Sequence, residues 1–141
     1  MINDSRHDLE KYAEQSHEKL LEVSTIFPFT LFPDTLTIDR NKVTFARRHF
    51  FGMADVTSIQ IDDVLNVIAH VGPFFGSIKL FTRFYVKEPM DVNFLSRNNA
   101  FGVKRILQGY ISARNKGIDC SNMEKDELIR LLYSIGTGAS D

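Results

Sequence analysis

Between Asp34 and Ser96 the apolar residues fall at every second position, and short turn signals cut the stretch repeatedly. The segment SIKLFTRFYV is the strongest instance: Ile78, Leu80, Thr82, Phe84 and Val86 alternate with Lys79, Phe81, Arg83, Tyr85 and Lys87. A period of two gives an extended strand one face that can be buried and one that can meet water. Strands separated only by tight turns pair antiparallel, because a parallel partner needs a long crossover. The centre of the chain is thereby restricted to an antiparallel sheet.

The other central segments fit the same pattern. TLTID and KVTFARRHFF flank a turn at Asp39, Arg40 and Asn41, with Val43 and Phe45 alternating with Thr44 and Ala46. Gly52 marks the next reversal. Val56, Ile59 and Ile61 then precede Asp62-Asp63, a bulge or break, after which Leu65, Val67, Ala69 and Val71 are expected to share a face. In HVGPFFGS, Gly72-Pro73 turns the chain and Gly76 returns it to the sheet, so GPFFG is a hairpin turn. Phe74 and Phe75 are expected to pack on neighbouring structure rather than protrude; exposed together, they would mark a partner or membrane contact. MDVNFLS supplies a last strand through Met90, Val92 and Phe94.

On either side the period lengthens. Leu9, Tyr12, Ala13, Leu20 and Val23 predict an amphipathic helix from Asp4 to about Val23, with Glu10, Glu14, Glu18 and Glu22 along its polar side and Pro28 and Pro33 in the linker behind it. After the strands, Ser96 or Asn98 can cap a helix with Ala100, Val103, Leu107, Tyr110 and Ile111 in its stripe and Gly117 as its stop. Gly102 and Gly109 in that helix suggest close approach to the sheet. A last helix is expected from Ser121, in a capping box with Glu124, through Leu128, Leu131, Leu132 and Ile135 to Gly136. The fold class is α+β: residues 1–33 form a helix and linker, 34–117 the domain, and 118–141 a short helix and tail.

Charge is unevenly spread. The net charge is −1, but residues 1–33 carry −3, residues 34–117 carry +5 and residues 118–141 carry −3. His7, His17, His49 and His70 lack metal-ligand spacing, and the single cysteine, Cys120, has no cation beside it to favour a thiolate. Asp62 and Asp63 are adjacent, so on a strand they point to opposite faces and cannot readily cooperate as acid and base. No phosphate loop or nucleophile elbow occurs. The sequence therefore points to no catalytic residues, no metal and no cofactor. A cytoplasmic location is the default expectation, since no apolar run is long enough to span a bilayer.

Residues 34 to 115 resemble the bacterial pleckstrin-homology-like family. The resemblance lies in the basic hairpin TLTIDRNKVTFARRHFF, the strand pair in VTSIQIDDVLNVIAHVG, the Gly-Pro-Phe-Phe-Gly turn before SIKLFT, and the helix FLSRNNAFGVKRILQGYI. It implies a strongly bent antiparallel sheet, or partly open barrel, capped by a C-terminal helix, and it implies self-assembly, since relatives form oligomers. The lack of tryptophan favours the bacterial or a related lipid-domain-like branch over the eukaryotic one. Arg40, Lys42, Arg47 and Arg48 resemble the place where phosphoinositide-binding pleckstrin domains hold phosphate. Arg47 and Arg48 are consecutive, however, and cannot face the same way on a strand, so a solvated edge or an intramolecular role is favoured. The expected function is a non-enzymatic binding or scaffolding module whose partner is a protein or a second copy. In it the acidic ends dock on the basic centre or exchange between copies. The alternative is peripheral binding to anionic lipid through those four residues with Phe74 and Phe75 inserted. Nucleic acid is not expected, because the acidic ends offset the basic centre.

Overall fold

A computed structural model describes residues 18–26, 32–49, 52–83 and 89–138. Seven strands come first: β1 (Lys19–Ser24), β2 (Thr35–Asp39), β3 (Lys42–Arg48), β4 (Ala54–Gln60), β5 (Val64–Val71), β6 (Phe75–Thr82) and β7 (Met90–Ser96). Two helices follow, α1 (Arg97–Asn115) and α2 (Lys125–Gly138). The strands form two antiparallel sheets, ordered β1-β2-β3-β4 and β5-β6-β7, and a 3-10 turn at Ile61–Asp63 joins them. The α+β class is as expected, the sheets do not close into one barrel, and just after β1 the Ile26 N–H donates to the Phe94 carbonyl of β7 at 2.8 Å.

The N-terminal helix expected to reach Val23 is corrected over its last residues, and its remainder, up to His17, lies outside the described residues. Lys19–Ser24 is an edge strand paired with β2. The pattern misled because β1 carries a bulge at Leu20, which lets Leu20 and Val23 both turn inward although they are three apart. That spacing is also the spacing of a helix face. The same device recurs twice. β5 shifts register at Leu65, so Val64 and Val67 are buried and Leu65 is exposed, against the expectation that Leu65 faced inward. β7 has an extra residue opposite Gly76–Ile78, so Val92 and Leu95 are buried and Phe94 turns outward. Phe94 sits there at φ 60°, a conformation that costs a bulky residue about 1–3 kcal/mol.

Elsewhere the alternation holds. Ile78, Leu80 and Thr82 of β6 are buried, as are Leu36 and Ile38 of β2 and Val43 and Phe45 of β3. α1 begins at Ser96, whose hydroxyl accepts from the Asn99 N–H at 3.2 Å, and it stops where Gly117 takes φ 68°. It packs on β5, β6 and α2, and its Ala100, Val103, Ile106 and Leu107 are buried. Leu128 and Leu132 of α2 join the same core. β1 and α2 both contribute side chains to the core that residues 34–117 build.

Two glycines do something other than expected. A Cβ on Gly109 would lie 2.3 Å from the carbonyl oxygen of Leu132, and one on Gly136 would lie 2.2 Å from that of Arg105. The close approach is thus between α1 and α2, backbone to backbone, not between helix and sheet. Gly136 lies inside α2 rather than ending it. The expected capping box is also absent: α2 starts at Lys125, and the Ser121 N–H and hydroxyl both donate to Asp119 Oδ1, at 2.9 and 2.7 Å.

Candidate functional site

The β2–β3 turn is shaped by Asp39. Its Oδ1 accepts from the Asn41 and Lys42 N–H groups at 2.9 and 2.8 Å, an Asx turn that fixes the direction of Arg40 between them. Arg40 points inward, with a side chain only 9% exposed, and its Nη2 donates to Glu18 Oε2 at 3.2 Å. One member of the acidic row therefore does meet the basic centre within a single chain.

The four cations expected as a phosphate site do not converge. Lys42 and Arg48 share the outer face of β3, six positions and so about 20 Å apart. Arg47 lies on the opposite face, stacked over the Phe45 ring at 5.3 Å, with Nε 3.7 Å from Asp34 Oδ2 and with Asp55 directly across the ladder. A cleft of about 440 Å³ opens there between Arg47, Asp55 and Asp91. Asp34, Asp55 and Asp91 around Arg47 make that cleft unsuited to an anion.

A second cleft, of about 390 Å³, lies at the C-terminal end of α1, beneath the β2–β3 turn and the 3-10 turn. Arg40, Tyr110 and Arg114 give it polar walls, and Ile61, Ala113 and Ile118 give it apolar ones. Arg114 is a fixture of the fold: Nη1 donates to the carbonyls of Ile61 and Asp62 at 3.3 and 2.7 Å, and Nη2 to that of Val64 at 2.9 Å, tying α1 to the joint between the sheets. Arg40 Nε and Nη1 and the Tyr110 hydroxyl are buried and have no hydrogen-bond partner among the described residues. Burial raises the Tyr110 pKa well above its ordinary value, with Arg40 opposing, so the group is a neutral O–H. Burial, reinforced by Asp119, also pushes the Cys120 thiol at the rim upward, in keeping with an unreactive cysteine.

A third feature lies at the β5–β6 turn, which is the hairpin the sequence indicates; the Gly72 N–H donates to the Phe75 carbonyl at 2.8 Å. The expectation that both phenylalanines pack is corrected for Phe74, which is 79% exposed. Phe75 is half-buried in β6 and meets Phe94 edge to face, centroids 6.5 Å apart and planes at 79°. A shallow groove of about 330 Å³ runs between them, edged by His70, Ser77 and Asn93 and by no Lys or Arg among the described residues.

Sequence reasoning named Phe74, Phe75 and Arg40 but missed Phe94, Tyr110 and Arg114. Phe94 counted as inward until the bulge is seen, and Tyr110 counted as one more position in an apolar stripe. Arg114 carried only the signal of a cation in a helix's last turn. Among the described residues no cluster of His, Cys, Asp and Glu could hold a metal, and no helix is long and apolar enough to cross a membrane. No protein-family model matches this chain, and a search of curated proteins finds no match.

Proposed function

We propose that this chain is a non-enzymatic binding module of pleckstrin-homology-like architecture that associates with a second copy of itself through the aromatic surface at the β5–β6 turn. Supporting the architecture are the consecutive four-strand and three-strand antiparallel sheets, the bulges that bend them, and the helix that follows the last strand. The observation that carries the function is Phe74, 79% exposed beside the Phe75–Phe94 pair. Exposed aromatics grouped in this way mark contact surfaces.

The second copy is favoured over an anionic membrane by charge. In a two-fold interface the same patch meets itself, which a cluster of cations resists and an uncharged aromatic patch with Ser77 and Asn93 at its edge permits. Lipid binding through Arg40, Lys42, Arg47 and Arg48 has less support, because the first is buried and paired with Glu18 and the third is surrounded by carboxylates.

Sedimentation velocity over a concentration series tests the reading. The wild-type chain is expected to show a mass that rises with concentration and holds in high salt, and Phe74→Ser, which alters an exposed side chain, to stay monomeric. A monomer at every concentration, or association indifferent to Phe74→Ser, overturns it. Co-sedimentation with anionic but not neutral vesicles, lost in Phe74→Ser, would replace it with the lipid reading.

A further inference from the structure

The cleft at the end of α1 collects hydrogen-bond donors that have nothing to donate to. Arg40 is nine-tenths buried, yet only its Nη2 has an acceptor; Nε and Nη1 have none, and neither has the Tyr110 hydroxyl beside them. Buried polar groups are ordinarily satisfied, and a buried guanidinium left with open N–H bonds is costly. Every unfilled valence of these two side chains that has its hydrogen fixed by chemistry is a donor, so an occupant has to be rich in acceptors.

We propose that this cleft binds a small organic oxyanion, its carboxylate or phosphate head held by Arg40 and Tyr110 and its apolar body lying along Ile61, Ala113 and Ile118. The size fits, since small-molecule sites begin at about 300 Å³. So does the division of the walls into a few buried polar groups and a larger apolar remainder. The charges nearest the site cancel: Arg114 in the last turn of α1 and Arg40 opposite stand against Glu18, which Arg40 Nη2 holds, and the buried Asp39, whose Oδ1 accepts from the Asn41 and Lys42 N–H groups. The open N–H and O–H donors, not net charge, are what draws an oxyanion there against the negative end of the α1 dipole. Asp62 and Asp119 are exposed at the rim, where solvent screens them, and the Asp119 carboxylate is already engaged by Ser121. The site is separate from the aromatic surface and does not depend on self-association.

The test is a titration of the full ¹⁵N-labelled chain, followed by amide shifts, with benzoate and phenyl phosphate as probes. Inorganic phosphate serves as a head-only control and benzyl alcohol as a body-only control. At least one aromatic anion is expected to move the amides of residues 39–42, 61–63 and 110–121 saturably, and the controls to bind about tenfold more weakly or not at all. Which head group binds tighter separates a carboxylate ligand from a phosphate ester. Tyr110→Phe, which removes a buried hydroxyl without a partner and so folds at least as well, is expected to weaken binding about tenfold, and Arg40→Gln at least as much. No saturable shift with either anion, or undiminished binding by Tyr110→Phe, overturns the proposal and leaves water as the occupant. If Arg40→Gln does not fold, Tyr110→Phe alone decides.

Discussion

Replacing Gly109 by alanine sets two effects of opposite sign against each other. Alanine is favoured over glycine inside a helix by about 1 kcal/mol. Against that, the new Cβ would lie 2.3 Å from the Leu132 carbonyl oxygen and 2.8 Å from the Leu132 carbonyl carbon and Cα. A carbon and a carbonyl oxygen rest at about 3.3 Å or more, so α2 has to withdraw by about 1 Å. The obstacle is backbone, with no side chain that can swing aside, and overpacking of this kind costs about 3 kcal/mol. The net expectation for Gly109→Ala is a loss of about 2 kcal/mol, and Gly136→Ala, 2.2 Å from the Arg105 carbonyl oxygen, should behave alike. Gly102→Ala is the internal control. Its Cβ would meet the Tyr133 hydroxyl at 2.9 Å, the far end of a side chain that can shift, and Leu21 Cδ2 at an ordinary 3.6 Å. There the helix preference should win, leaving the variant neutral or up to about 1 kcal/mol more stable. Urea unfolding followed by circular dichroism, with the slope held common, measures all three. The double variant Gly109→Ala/Gly136→Ala should cost less than the sum, because one displacement of α2 serves both. If all three alanines stabilise the protein, the helices do not cross backbone to backbone and the reasoning fails.

Three further outcomes are expected. Arg114→Met removes the guanidinium that binds the Ile61, Asp62 and Val64 carbonyls and should cost about 2–4 kcal/mol in the same urea assay, with Arg114→Lys recovering part of it; a change under about 0.5 kcal/mol would show that the tie is not needed. Leu20→Ala should lose about 2–3 kcal/mol, and a chain starting at Phe32, which lacks β1, should show no cooperative thermal transition; cooperative melting of that chain would mean β1 is dispensable. Tyr110 gives alkaline sensitivity. Its folded pKa is raised by burial, so its contribution is intact below the ordinary value of 10.0 and is lost as the pH climbs from there towards the folded value. The loss is at most about 1.4 kcal/mol per pH unit, and Tyr110→Phe should flatten that part of the stability curve; identical curves above pH 10 would contradict the assignment.

The parts of this fold that were legible in the sequence are those where one rule acts alone. β6 reads directly because its alternation is unbroken, and the two tight turns read because Asp39 and Gly72-Pro73 set local geometry that needs no tertiary partner. The parts that were not legible are those where two rules produce the same spacing. A bulged strand and a helix both bury residues three apart, so Leu20 and Val23 read as a helix when β2 was not in view. Gly109 announced a close approach but not its partner, and Gly136 read as a helix stop, because sequence spacing does not encode which element a glycine faces. For the site, the cations of the hairpin were visible as residues, but their separation was not: the Asx turn sends Arg40 into the cleft while strand alternation parts Arg47 from Lys42 and Arg48. Tyr110 looked like core because it is partly buried against the core cluster while also lining the cleft.

The most direct test of the interaction surface is amide hydrogen exchange of the wild-type chain, compared between dilute and concentrated solution. Self-association through the aromatic patch should slow exchange with concentration at residues 70–76 and 93–95 and leave β4, an edge strand of the four-stranded sheet, unchanged. Protection confined to β4, or none at any concentration, would contradict the claim that Phe74, Phe75 and Phe94 form the contact.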